Sequence, residues 1–255
     1  MNYVEYGKEN NDVIILLHGG GLSWWNYKEV AERLQTDYHV FLPILDGHAG
    51  CDKNFTTIEN NALEIIEFVN SKLGGSVLLM GGLSLGGQIL LEILSQCKDI
   101  CKYAIVESAL VIPSKFTYSM IKPAFGSCYG LIKYKWFSKL QFKSLRIKSN
   151  LFDEYYKDTC AIRKSDMIAF LQENSVYSLN AIAIQQPSKP IKVIKGRYSL
   201  IDSTNHLYAI SVDLFKSSES SLGIIISGLK YLKYSTIDCA YKNFLIINLI
   251  IRPLK

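Results

Sequence analysis

Short apolar runs recur along the chain, at Val13–Leu17, Tyr38–Leu42, Val77–Met80, Tyr103–Val106, Pro190–Ile194 and Leu222–Ser227. Val13–Leu17 is continuously apolar, the composition of a strand covered on both faces, as in a parallel sheet. Tyr3–Tyr6 is weaker and predicts an edge strand, set off by the turn signal Asn10-Asn11-Asp12. Between the runs the spacing changes to that of helices. Ile58, Ala62, Ile65, Ile66 and Val69 line one helical face, Ile89, Leu90, Ile93 and Leu94 another, and a further helix ends near Gln35. Strands and helices in alternation predict βαβ units, hence an α/β fold on a mostly parallel, doubly wound sheet. The alternation fails between Pro113 and Pro187. That stretch is rich in Tyr, Phe, Trp and Lys, with helical spacing near Trp136–Phe142, Leu151–Thr159 and Asp166–Glu173. Residues 1–112 and 187–255 are therefore expected to form the sheet core, and 113–186 a separate helical layer above the C-terminal strand ends.

The ends of the predicted strands carry the candidate chemistry. Gly82-Leu83-Ser84-Leu85-Gly86 stands between an apolar strand and an apolar helix. A serine on such a turn has a strained backbone and an exposed hydroxyl, and small neighbours let adjacent chain approach. The helix start beyond it adds N–H groups and a positive field. The same residues also suit a purely structural βα turn. His18-Gly19-Gly20-Gly21 follows the Val13–Leu17 strand. Its backbone N–H groups suit an oxyanion, or the loop is simply flexible. Glu107 ends the Tyr103–Val106 strand, beside the serine strand, where parallel sheets hold their sites. It reads equally as a loop-bracing carboxylate. Asp202 stands near a helix start predicted over Ile201–Ile210, as a site acid or a first-turn acid. His206 follows it by four residues, so on a helix the two share a face, as a local ion pair or as an acid and base recruited together; it is the one histidine C-terminal to Ser84 and so the one candidate base there. Trp24 and Trp25 suit either the wall of an apolar pocket or helix-on-sheet packing.

Taken in order, His18–Gly21, then Asp46-Gly47-His48-Ala49-Gly50, then Gly82–Gly87, this chain is similar to the α/β-hydrolase fold family over residues 1 to about 195. The resemblance implies that Ser84 is a catalytic nucleophile and that the N–H groups of Leu85 and the Gly20–Gly21 loop form an oxyanion hole. It implies that His48 is structural, and that 113–186 is a helical cap over the active site. It places the triad acid at Glu107 or one strand later, where Ser199 stands in place of an acid and Asp202 lies further on. It also places the catalytic histidine after the last strand, yet Gly228–Tyr234 contains none, with Tyr231 or a neighbour in its place. A serine without a neighbouring base is a poor nucleophile. The expected function is hydrolysis of a small ester or other acyl substrate through Ser84, slowed by the missing histidine. The alternative is a non-catalytic relative that binds a small apolar ligand under the cap.

Composition narrows the partners. With 255 residues, 49% of them apolar, the chain can bury one core with an insertion. The net charge of +5 is scattered except over Lys133–Lys148, which interleaves Lys and Arg with aromatic and aliphatic residues. That run fits a nucleic-acid or membrane patch, or a helical surface with an apolar underside. No nucleic-acid-binding motif stands beside it, so no nucleic-acid partner is expected. The six cysteines form no C-x-x-C pair and no secretory leader precedes the first strand, so reduced thiols and a cytoplasmic location are expected. No His/Cys/Asp cluster has metal-ligand spacing, so neither metal nor cofactor is expected. No apolar run approaches the roughly 18 residues of a membrane span.

Overall fold

A computed structural model describes residues 1–178, apart from Lys98 and Arg146, together with the strand at 191–194. The order is β1 (Asn2–Tyr6), β2 (Val13–Leu17), α1 (Lys28–Leu34), β3 (His39–Ile44), α2 (Ile58–Lys72), β4 (Val77–Leu83), α3 (Leu85–Gln96) and β5 (Cys101–Glu107). Then come α4 (Lys115–Cys128), α5 (Lys135–Leu145), α6 (Phe152–Ala161), α7 (Lys164–Val176) and β6 (Ile191–Ile194). The sheet runs β1-β3-β2-β4-β5-β6, with β1 antiparallel to β3 and the other neighbours parallel. This is the α/β-hydrolase fold, with the serine strand β4 at the middle of the sheet.

The apolar runs follow from burial on both faces. Ile14 and Leu16 of β2 pack with Val30, Ala31 and Leu34 of α1, whereas Ile15 and Leu17 face Ile58, Ile65, Ile89 and Ile93 of α2 and α3. The predicted face of α2 is buried at Ile58, Ala62, Ile65 and Val69, and Thr57 caps the helix by accepting the Asn60 N–H at 3.0 Å. Helices α4–α7 fall between β5 and β6, in the stretch where the alternation fails. Ile132, Ile162, Met167 and Phe170 from this stretch join the core cluster that holds Leu85 and Ile89. Helix α4 is not visible in the periodicity, because of its side chains only Ile121 is buried and Pro123 stands inside it.

Trp25 sits between the loop after β2 and the helices that follow β5. It is buried among Leu22, Phe142 and Tyr155, and its Nε1–H donates to Asp158 Oδ2 at 2.7 Å, so it ties the loop after β2 to α5 and α6. Burial pushes the Asp158 carboxyl up. No disulfide joins the described cysteines, and among the described residues no helix is long and apolar enough to cross a membrane.

Candidate active site

The turn between β4 and α3 is built by exclusion of side chains. A Cβ on Gly82 would lie 2.3 Å from the Gly86 carbonyl oxygen, and one on Gly86 would lie 2.3 Å from that of Leu17. Both contacts are with backbone, which cannot give way, so these two positions admit only glycine. Between them Ser84 sits at φ +52°, ψ −111°, a region an L-residue rarely occupies. Its N–H donates to the Glu107 carbonyl at 2.8 Å, and its own carbonyl accepts the Gln88 N–H at 3.0 Å. The strand end on one side and the helix on the other hold the serine in this conformation, at a cost of about 1–2 kcal/mol. Its side chain is half-exposed.

The neighbouring strand ends converge on this turn. The Gly86 contact with Leu17 and His18 brings the end of β2 against α3, and a Cβ on Gly19 would lie 3.5 Å from the Leu83 carbonyl. Gly20 borders Leu85, whose side chain would be 3.6 Å from a Cβ there, and Phe170 of α7 sits closer still at 3.1 Å. Glu107 pairs in register with Leu83, directly beside the turn, and Ser108 after it is a second non-glycine residue at positive φ, +61°. Ser84 and Ser108 thus stand at adjacent strand ends, both at positive φ. Gly21, at φ +75°, directs its N–H to His48 Nε2 at 3.0 Å, so of the two glycines expected at an oxyanion hole its N–H is engaged elsewhere.

Both buried histidines near the site are fully occupied. His18 Nε2 accepts the Leu45 N–H at 3.2 Å, so Nδ1 carries the proton and donates to the Gly19 carbonyl at 2.9 Å. His48 Nε2 accepts from Gly21, and its Nδ1–H donates to the Asp46 carbonyl at 3.0 Å. Neither ring keeps a lone pair for a serine proton. Burial lowers the pKa of His18 to about 3, helped by His48, and that of His48 to about 4. The rings meet edge to face at 4.9 Å, and Phe170 stacks on His48 at 4.7 Å. His39 lies on β3, paired with Glu5 at 2.9 Å on the sheet edge.

The rest of the support comes from residues with no motif. Asp166 of α7 is buried, accepts the Phe55 N–H at 3.1 Å and pairs with Arg163 at 2.5 Å, which pins α7 to the loop carrying His48. Gln88, one turn beyond Ser84 and fully buried, donates to the carbonyls of Leu110 at 2.6 Å and Asn174 at 2.9 Å and accepts from Asn174 Nδ2 at 2.8 Å. Nothing in the local pattern singles these residues out, since the partners that dock α7 lie far off in sequence: Phe55 is 111 positions from Asp166, and Asn174 is 86 from Gln88. Asp202, His206, the Leu222–Ser227 strand and the loop with Tyr231 lie outside the described residues. Among the described residues no group of His, Cys, Asp and Glu is arranged to hold a metal ion.

Residues 14–185 match the family model described as alpha/beta hydrolase family. Solved structures share the fold at low sequence identity. A thermophilic esterase from Thermogutta terrifontis superposes with a TM-score of 0.62 at 16% identity, over 75% of this chain and 73% of that one. The enol-lactonase from Burkholderia xenovorans gives 0.61 at 14% identity, over 75% and 76%. A hydrolase from Pseudomonas aeruginosa gives 0.63 at 12% identity, over 80% and 78%. Among curated proteins none matches the chain by sequence.

Proposed function

Since the chain belongs to the alpha/beta hydrolase family, we propose that it acts on a small ester or related acyl compound with Ser84 as nucleophile. The observation that carries this reading is the backbone of Ser84, held at φ +52° between two glycines that no larger residue can replace. Folds keep such strain where it positions a reacting group. In this reading the Ser84 hydroxyl adds to the acyl carbon as its proton passes to a base or to water; collapse of the adduct breaks the ester C–O bond and releases the alcohol, and water then hydrolyses the acyl-serine to the acid and free Ser84. The negative charge that develops on the carbonyl oxygen is met by the Leu85 N–H at the start of α3 and by Gly20, whose loop runs against Leu83 and Leu85. Gly21 joins them only if its bond to His48 opens. Glu107 is the carboxylate beside the turn that orients a base and stabilises the positive charge the base acquires, with Asp202 the alternative acid. Helices α4–α7 act as a cap, with Phe170 over Gly20 forming an apolar wall that keeps water from the acyl group. The esterase and the enol-lactonase among the similar structures make an ester bond the first substrate to try.

The histidines favour a second reading alongside it, a non-catalytic relative that binds a small apolar ligand under the same helices. His18 and His48 are spent on the backbone, and His39 is on the sheet edge. His206 is the remaining imidazole in the chain. Hydrolysis of short p-nitrophenyl esters separates the readings. The expected result is slow, Ser84-dependent hydrolysis, abolished by Ser84→Ala and unchanged by His206→Ala. Absence of any Ser84-dependent rate supports the binding reading. Fast turnover that His206→Ala abolishes would show that the base is present after all.

A further inference from the structure

From Ser108 to Phe152 the chain contains no Asp or Glu, while it contains seven lysines and one arginine. Helix α5 lies in this stretch, and its two faces differ sharply. Ser138 and Phe142 are buried against the protein. Trp136, Lys139, Leu140 and Lys143, spaced i, i+3, i+4, i+7, share the opposite face, with Trp136 and Leu140 each 63% exposed and Tyr134 just before the helix 57% exposed. Among the described residues no carboxylate pairs with Lys133, Lys135, Lys139 or Lys143. Lys135 and Lys139 lean over the rings of Tyr156 and Phe152 at 5.5 and 5.6 Å, which leaves their charge uncompensated. An apolar underside accounts for Phe142. It does not account for a tryptophan and a leucine standing in water among lysines.

We propose that this face of α5 docks on an anionic phospholipid bilayer, with Trp136 and Leu140 entering the headgroup region and the surrounding lysines pairing with lipid phosphates. Tryptophan prefers that depth, leucine gains from the acyl boundary, and lysine stems reach back to the charged layer. The charge pattern selects this occupant. A second copy of the same face would bring lysine against lysine. A nucleic acid would satisfy the lysines but give Leu140 nothing, because bases reward aromatic stacking rather than aliphatic contact. Binding of this kind needs no membrane-spanning helix, and it does not depend on the reading of Ser84.

The test is flotation of the full-length protein with vesicles of phosphatidylcholine, alone or with about a third replaced by phosphatidylserine. The protein is expected to float only with the anionic vesicles, and to be released by salt. Lys139→Gln/Lys143→Gln should weaken binding roughly fivefold per lysine. Trp136→Ser/Leu140→Ser should weaken it by roughly tenfold or more, with unchanged melting because both side chains are exposed. Three results overturn the proposal. One is no flotation with anionic vesicles at low salt. Another is binding that the Trp136/Leu140 variant leaves intact, with single-stranded RNA bound at least as tightly. The third is a dimer in vesicle-free solution that the same variant dissociates.

Discussion

Ser84 and its glycine neighbours show how little chain is needed to specify a site. Gly82 and Gly86 are fixed by backbone contacts of 2.3 Å, so the motif spacing is a steric requirement of a helix leaving a central strand and passing close to β2. That is why this turn, and with it the candidate site, was legible in the sequence. The strain on Ser84 is a separate matter, since its side chain does nothing to relieve φ +52°. Ser84→Gly removes the Cβ penalty and is expected to raise stability by about 1 kcal/mol while eliminating all serine chemistry. Thermal melts of Ser84→Gly beside Ser84→Ala check this, because alanine keeps the strain and glycine does not. Equal melting temperatures would show that the turn is relaxed.

Among the elements, the strands and α1–α3 could be read because their apolar spacing reports directly which faces are buried. Helix α4 could not, since it buries a single apolar side chain at Ile121, so no stripe exists to be counted. The bonds that dock α7 onto the site were hidden for another reason: Asp166 and Gln88 act through partners far away in sequence, and polar residues in a helix ordinarily signal a solvated face. Gln88 is the sharper case. It joins α3 to the chain after β5 and to the end of α7 through three hydrogen bonds made by one fully buried amide. Gln88→Leu would leave the Leu110 and Asn174 carbonyls and the Asn174 amide without partners. A loss of at least ~2 kcal/mol is expected in urea unfolding, at unchanged m-value. A loss under half of that would mean that water replaces the amide, and that α7 is held mainly by Phe170 and Met167.

At the scale of the whole molecule, the two buried histidines couple folding to pH. Each is held neutral in the fold, with folded pKa values of about 3 and about 4, whereas an unfolded histidine titrates near 6.5. Between these limits the unfolded chain binds more protons than the folded one, so the stability present above pH 6.5 is lost as pH falls toward 4. The slope approaches about 2.7 kcal/mol per pH unit if both rings titrate only on unfolding. Unfolding free energies measured from pH 7.5 down to 4.5 should show this fall, and His48→Gln should lower stability at neutral pH while roughly halving the slope. A flat profile would mean that both rings are protonated as readily in the folded state as in the unfolded one. These rings brace the loops after β2 and β3, so acid is expected to loosen the site before the sheet.

If this fold presents Ser84 as a reactive nucleophile, covalent labelling will find it without any assumption about substrate. The protein is incubated at neutral pH with a fluorophosphonate probe, and the modified peptide is identified by mass spectrometry, with Ser84→Ala and acid-unfolded protein as controls. A serine held at a strained turn beside N–H donors should take up one probe on the peptide that carries Ser84, slowly because none of the described imidazoles is free to take its proton, and both controls should remain unlabelled. Failure of the folded protein to label at Ser84 over long incubation, or equal labelling in the Ser84→Ala protein, would contradict the account.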